Sequence, residues 1–299
     1  MNPNPYHLQI SSRTKLFNFF RRLFILLGID KILPTFTRHR CINSFVGRLI
    51  PPNYLYDSRS MRNLSFEGIN MKLDISDAVE HFTYYSFDEP ALQRLYRFIK
   101  PGMTIIDIGA NIGAITLNLA KRVGVKGKVY SFEPSPYNYR KALNNIRLNN
   151  FSNIKLINQG LGNERTNACL YNVNFNNRGM QRILGDKGKI SSYDKTEVEI
   201  DTLDRSMQLF EIPSPSLIKI DVEGYEFKVL QGALETLKKN RPVLFIELDD
   251  NNLKEQGGNA KELVEFLLQL RYNILNATNG KTVNEATVFI NCHFDILCT

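Results

Sequence analysis

The sequence predicts an α/β fold, doubly wound around a mostly parallel sheet, and three observations carry that prediction. The stretch PGMTIIDIGANIG at 101–113 is a short apolar strand, 104–108, that ends in an acid and runs into a glycine-punctuated turn. Beyond it, strand-length apolar runs alternate with helix-length segments to about residue 270. Glu133 ends the second of those runs, twenty residues after Gly113, where nucleotide-binding folds present an acid to a ribose diol.

Residues 13–33, RTKLFNFFRRLFILLGIDKIL, are basic and apolar together, and their uncharged run 23–29 is too short to span a bilayer. No small-residue cleavage site follows, so a secretory signal is not expected. Two readings stand for this segment: an amphipathic helix on an anionic membrane surface, or a helix packed on the main domain or a partner. The packing reading is preferred. Pro34, Pro51 and Pro52 then mark a loop-rich passage to about residue 65. LSFEGINMKLD at 64–74 alternates around Gly68 and predicts a hairpin. A helix is expected over 90–99, with Pro90 in its first turn and Glu89 before it.

The alternation after the opening strand is regular. A helix starts at Ala114, a second strand covers 128–132 and a helix 137–149. A third strand covers 154–158 and meets a turn at 159–163. Strands are predicted at 168–173 and 196–200, with a polar, glycine-dotted mobile loop between them. A fourth strand covers 216–220, a helix 225–239 and a fifth strand 243–248. A helix over 259–270 precedes two final strands at 272–275 and 287–290, which are expected to be antiparallel. The organisation is a basic, partly helical N-terminal extension at 1–63 and a main domain at 64–299, with its binding core at about 101–249.

Of the net charge of +8, seven units belong to residues 1–60, where nine basic residues face only Asp30 and Asp57. The rest is close to neutral, which argues against a nucleic-acid groove across the main domain. Cys41, Cys169, Cys292 and Cys298 form no CxxC pair and no cluster with metal spacing. A reducing, cytoplasmic compartment is expected, with no disulfide framework, no zinc site and room for peripheral membrane contact through the N-terminus.

Glycines at 109 and 113 let the backbone turn tightly and a ligand approach, and the helix behind them offers unpaired N–H groups. The block KIDVEGYE at 219–226 puts Asp221 at the carboxyl edge of the fourth strand, with Lys219 on the same side and Glu223 just beyond. Glu247 ends the fifth strand above the same edge. It is a candidate substrate contact, and with Asp221 a candidate divalent-metal pair. No His or Asn completes a third ligand, so no metal is assigned. His81, with Tyr84 and Tyr85, is a candidate lining of the pocket entrance.

DIGANIG at 107–113, FEPSP at 132–136, KIDVEGYE at 219–226 and RPVLFIE at 241–247, in this order and spacing, resemble the FkbM-type methyltransferases over about 73–249. The resemblance implies a class I, Rossmann-like, seven-stranded sheet with helices on both faces. It implies S-adenosylmethionine as cofactor and O-methylation of a sugar, glycan or polyketide-like hydroxyl. It implies that Asp107, Gly109, Ala110, Asn111 and Gly113 wrap the methionine part. Glu133 would hold the ribose beside Pro134 and Ser135, while Gln159 and Gly160 flank the adenine. Asp221 would then face the reactive end, with Asp221 and Glu223 orienting the acceptor or taking its proton. Lys219 would pair with a carboxylate or stabilise a developing alkoxide, and His81, Tyr84 and Glu247 would meet the substrate. Many class I enzymes place an acid beside the adenine, where this chain has Asn158 and Gln159. Two rivals stand. An NAD-dependent oxidoreductase lacks support because GANIG misses the middle glycine of GxGxxG. A non-catalytic, membrane-peripheral scaffold is opposed by the intact turn and Glu133. The acceptor and the oligomeric state are not specified by the sequence.

Overall fold

The computed structural model of the protein describes residues 11–37, 44–85, 89–172, 181–183 and 195–299. The chain divides into two compact units, Met1–Glu89 with Phe175–Gly179, and Pro90–Asn174 with Met180–Thr299. The first holds helices α1 (Ser12–Leu26), α2 (Pro34–Thr37) and α3 (Phe45–Leu49), a hairpin of β1 (Met61–Phe66) and β2 (Ile69–Asp74), and α4 (Ala78–Tyr85). Alternate β2 residues Ile69, Met71 and Leu73 are buried. Helix α4, which the sequence reading does not anticipate, packs on β2, and its Glu80 accepts the Asp74 amide at 2.6 Å. The hairpin therefore belongs with the N-terminal residues, and the units divide at Glu89/Pro90 rather than near residue 63.

The second unit begins with α5 (Pro90–Phe98), β3 (Thr104–Ile108), α6 (Ala114–Val123), β4 (Lys128–Phe132), α7 (Pro136–Arg147) and β5 (Ile154–Ile157). Four short strands follow: β6 (Gly160–Leu161), β7 (Thr166–Asn172), β8 (Gln181–Ile183) and β9 (Lys195–Asp201), in the order β6-β9-β7-β8. Then come α8 (Leu203–Leu209), β10 (Leu217–Ile220), α9 (Glu226–Gln231), α10 (Leu234–Asn240), β11 (Val243–Asp249), α11 (Asp250–Glu255), α12 (Ala260–Gln269), β12 (Ile274–Asn276) and β13 (His293–Cys298). The main sheet has seven strands in the order β12-β13-β11-β10-β3-β4-β5. Strands β11, β10, β3, β4 and β5 are parallel, and β13 runs antiparallel between β11 and β12.

The central strands are apolar on both faces because both faces are covered. One face sets Ile105, Val129, Leu217, Phe245 and Leu297 against α5 and α6 through Ala91, Leu95, Leu119 and Val123. The other sets Ile106, Phe132, Ile218 and Ile246 against residues of α8, α9, α10 and α12 such as Leu203, Val229, Leu237 and Leu267. Successive strands leave β3 first toward β5 and then toward β12, so the crevice at the carboxyl ends of β3 and β10 is the topological switch point.

Four expectations change. The helix over 225–239 is two helices, because the Gly232 carbonyl accepts the Asp204 amide and the Asp204 carboxylate caps α10 through the amides of Glu235 and Thr236. The turn at 159–163 contributes β6, which pairs with β9. The mobile-loop expectation falls largely on 173–180 and 184–194, outside the described residues, while the intervening β8 pairs with β7. The last strand lies at His293–Cys298, not at 287–290. Both stretches are apolar, but only the later one meets free edges on β11 and β12, and it leaves Ile290 76% exposed. Helices α8 and α11 are also absent from the sequence reading.

This pairing predicts unequal costs for two isoleucine truncations. Ile296→Ala, at a fully buried β13 position, should lower unfolding free energy by about 2–5 kcal/mol, and Ile290→Ala should stay within about 0.5 kcal/mol of the parent. Urea titration checks it, and equal midpoints would refute the β13 register.

Candidate active site

Lys219 sits in the middle of β10 with apolar neighbours and is 1% exposed. A buried ammonium must be paired or it destabilises the fold. The register sets Lys219 level with Asp107 on β3, so both side chains leave the same sheet face. Lys219 Nζ lies 3.1 Å from Asp221 Oδ2 and 3.6 Å from Asp107 Oδ1, and it donates to the Gly109 carbonyl at 3.1 Å. Burial alone would lower the lysine, but Asp221 and then Asp107 outweigh it and hold the ammonium above the ordinary lysine value. Burial pushes the Asp107 carboxyl up, against the opposing pull of Lys219 and of the Thr116 hydroxyl, which donates to Asp107 Oδ2 at 2.6 Å. Asp107 has no exposed surface, so it meets the turn from beneath.

The turn after β3 is fixed largely by protein contacts. The amides of Gly109 and Ala110 both donate to the Phe132 carbonyl at 3.0 Å. Gly109 has φ +88°, and a Cβ there would stand 1.9 Å from the Asp221 carbonyl oxygen. Gly113 has φ +85°, and a Cβ there would stand 3.3 Å from Ala142 of α7. The sequence reading gives these glycines to an approaching ligand. The structure uses the missing Cβ atoms to bring β10 and α7 against the turn. Asn111 also has a positive φ, and its buried Oδ1 meets no donor among the described residues.

Glu133 ties the first two turns together. Its Oε2 accepts the Asn111 amide at 2.7 Å, and its Oε1 accepts the Ser135 amide at 2.9 Å. Burial raises its carboxyl to about 7, with the two amides pulling the other way. Ser135 is itself buried and caps α7 by accepting the Asn138 amide, while Pro134 is half-buried beside it. The Asn158 side-chain amide donates to the carbonyls of Glu133 and Pro134 at 2.8 and 3.0 Å. Gln159 and Gly160 follow at the end of β5, where Gln159 accepts from Ser206 at 3.3 Å.

Beyond β10 the chain turns through Glu223, with φ 56°, and Gly224. Buried Glu226 holds that turn by accepting the amides of Val222 and Gly224 at 2.9 and 3.1 Å, and burial raises its carboxyl to about 7. Glu223 Oε2 accepts from Arg182 Nη2 and from Asn252 Nδ2, each at 3.2 Å. Glu247 pairs with Asp295 across β11 and β13. Burial, then the charges of Asp221 and Glu223, push its carboxyl up to about 10. Asp295 rises to about 6, by burial and then by Asp221. Within this row the side chain of Asp221 is 39% exposed, which makes it the open carboxylate. Among the described residues no group of three His, Cys, Asp or Glu is arranged to hold a metal ion.

Asp107, Gly109, Ala110, Asn111, Gly113, Glu133, Pro134, Ser135, Gln159, Gly160, Lys219, Asp221, Glu223 and Glu247 thus all belong to the second unit, at the ends of β3, β4, β5, β10 and β11. His81 and Tyr84 belong to the first unit. His81 Nε2 lies 2.8 Å from the Pro51 carbonyl, and burial lowers its ring to about 4. Tyr84 is buried edge-on against Tyr85, with ring centroids 5.1 Å apart. Both side chains serve the packing of their own unit.

Sequence reasoning misses four residues of the site. Thr116 reads as an ordinary helical threonine, and Asn252 lies in an unanticipated helix. Asp295 lies in the strand expected six residues earlier, and Arg182 lies inside the stretch taken for a loop. An arginine in a glycine-rich insertion, facing an acid-rich block, was the available signal for Arg182.

Residues 107–274 match the family described as the methyltransferase FkbM domain. Methyltransferase 1 of Beauveria bassiana is 31% identical over 144 residues, which cover 43% of this chain and 57% of that protein. Methyltransferase sdnD of Sordaria araneosa is 29% identical over 193 residues, covering 52% of this chain and 74% of its own. The crystal structure of the methyltransferase FkbM from Methylobacillus flagellatus superposes with a TM-score of 0.42 at 18% identity, over 74% of this chain and 52% of that one. The chain therefore spans only about half the length of the first of these relatives and of that structure.

Removing the buried ammonium should be costly. Lys219→Met leaves the buried Asp107 without its countercharge and should lower unfolding free energy by about 3–5 kcal/mol. Adding Asp107→Asn should recover part of that loss. Additive losses in the double-variant cycle would show that the two groups are not coupled.

Proposed function

We propose that this chain, which belongs to the FkbM methyltransferase family, transfers a methyl group from S-adenosylmethionine to a hydroxyl of a small-molecule or glycan acceptor. The observation that carries the reading is the Glu133 bridge between the first two turns of the switch-point crevice. An ionised carboxylate has about four acceptor sites, and two amides use two of them, so two remain for the hydroxyls of a ribose. The unpartnered Asn111 Oδ1 is suited to the ammonium of a methionine moiety in the turn formed by Gly109, Ala110, Asn111 and Gly113. Pro134 and Ser135 would border the ribose, and Gln159 and Gly160 the adenine. Asp107 would act from beneath, through Lys219.

When bound, S-adenosylmethionine supplies an electrophilic methyl carbon on a sulfonium. The protein's own task is to align the acceptor oxygen and remove its proton. Asp221 suits that task, because Lys219 anchors its Oδ2 and its side chain stays open. Glu223, braced by Arg182 and Asn252, would position the acceptor. Glu247, protonated at neutral pH, would donate a hydrogen bond to it. Lys219 is enclosed, so it serves as Asp221's anchor rather than as a contact to an alkoxide. A row of carboxyl groups favours a neutral acceptor rich in hydroxyls, such as a sugar or a polyketide alcohol, and repels an anionic one.

Calorimetric titration should show S-adenosylmethionine and S-adenosylhomocysteine binding, with no binding of NAD. Failure of both methionine cofactors to bind would end the reading. Binding to the diol needs ionised Glu133, whose carboxyl burial raises to about 7, so affinity should be flat above about pH 8, begin to fall through pH 7 and approach a roughly tenfold loss per unit below about pH 6. Glu133→Gln should weaken binding by roughly 10–100-fold and flatten the pH profile. Asp221→Asn should lower turnover about 10²–10⁴-fold with cofactor affinity retained, measured as radiolabelled methyl transfer to sugar and polyketide alcohols. Unchanged turnover would remove Asp221 from the mechanism.

A further inference from the structure

Helix α1 sits on its own unit by its polar side. Asn18, its one buried residue, donates to the Tyr54 hydroxyl at 3.2 Å. Arg21 bonds Asn18 Oδ1 and the Arg48 carbonyl. The apolar side is left outward. Leu16, Phe19, Phe20, Leu23, Leu26 and Leu27 recur at helical spacing on one face, and all are exposed, Phe19 by 61% and Leu26 by 82%. This reverses the arrangement of an ordinary surface helix, whose apolar stripe faces the core. Six large apolar side chains on one exposed face are unusual for a surface that meets only water.

Charge indicates what meets it. Lys15 and Arg22 lie along one margin of the apolar face, and Arg13 along the other, by their angular positions on the helix. Residues 11–29 contain no acid, and the first one, Asp30, is buried and paired with Arg62 at 3.2 Å. A helix of 15 residues is about 22 Å long, short of a bilayer's hydrocarbon core, and no described helix is long and apolar enough to cross a membrane. An apolar face bordered by cations matches a plane that is apolar below and anionic at its surface.

We propose that α1 lies in the interface of an anionic lipid bilayer, with the apolar face submerged and Arg13, Lys15 and Arg22 at the headgroups. A protein groove would need acidic rims on both sides to match the same pattern. A second copy of α1 would set like charges against each other.

The full chain is sedimented with vesicles of phosphatidylcholine alone and with vesicles of equal parts phosphatidylcholine and phosphatidylglycerol. Binding to the mixed vesicles should be at least about tenfold tighter and should weaken with added salt. Phe19→Glu/Leu23→Glu and Lys15→Glu/Arg22→Glu should each abolish that binding and leave the thermal midpoint unchanged, since all four side chains are exposed. Binding to neither vesicle, equal binding to both, or retained binding by Phe19→Glu/Leu23→Glu overturns the proposal. So does a wild-type dimer, seen by analytical ultracentrifugation, that this variant dissolves, because a second copy would then cover the face.

Discussion

A single buried ammonium sets the geometry at the carboxyl edge of the sheet. Lys219 cannot remain charged in an apolar strand unless carboxylates and a carbonyl surround it, and Asp107, Asp221 and Gly109 supply them. Each partner belongs to a different part of the crevice: the end of β3, the turn after it and the exit from β10. Satisfying one charge therefore joins all three. The Asp221 carbonyl completes the junction by occupying the space that a Cβ on Gly109 would need. Its carboxylate is left with one oxygen anchored and the side chain open, which is the disposition a proton acceptor requires.

Two glutamates repeat another device at the neighbouring turns. Glu133 and Glu226 each fold back to accept two backbone amides, so each loop is pinned by a carboxylate at the edge of its strand. Burial raises both carboxyls to about 7 while the amides resist. The two differ in what remains. Glu133 lies beside the first turn and its unpartnered Asn111 oxygen, whereas Glu226 opens the next helix and serves the shape of the Asp221–Gly224 loop. Glu247 and Asp295 add carboxyls that burial and Asp221 push toward protonation. The edge thus combines charged carboxylates with a carboxyl, Glu247, that burial and its acidic neighbours push up to about 10.

The molecule's charges are segregated. Seven of the eight units of net positive charge belong to residues 1–60, and the site's acids belong to the second unit. An acidic crevice alone would repel an anionic surface. With α1 on an anionic bilayer, as proposed, attachment and chemistry would use opposite signs of charge on different units.

Much of this architecture was legible in order along the chain. The strand at 104–108 with the helix that starts at Ala114, and the strands at 128–132 and 243–248, read correctly because their signals are local: apolar runs, glycines and the residue that ends each strand. What the sequence by itself determined was the doubly wound core, the family it resembles and the set of polar residues at the strand ends. The tertiary structure alone decided what those residues touch. That Lys219 is enclosed, that β10 and α7 close on Gly109 and Gly113 where a Cβ would stand, and that Arg182 and Asp295 join the edge are facts of register and packing between distant segments. So is the choice of His293–Cys298 over 287–290, two apolar stretches that only the free edges of β11 and β12 distinguish. Helix α1 shows the same limit, since its periodicity defines an apolar face but only the bonds of Asn18 and Arg21 turn that face outward. Local propensity acts through near neighbours, whereas burial and charge pairing depend on residues a hundred positions away, and those contacts exist only in the folded chain.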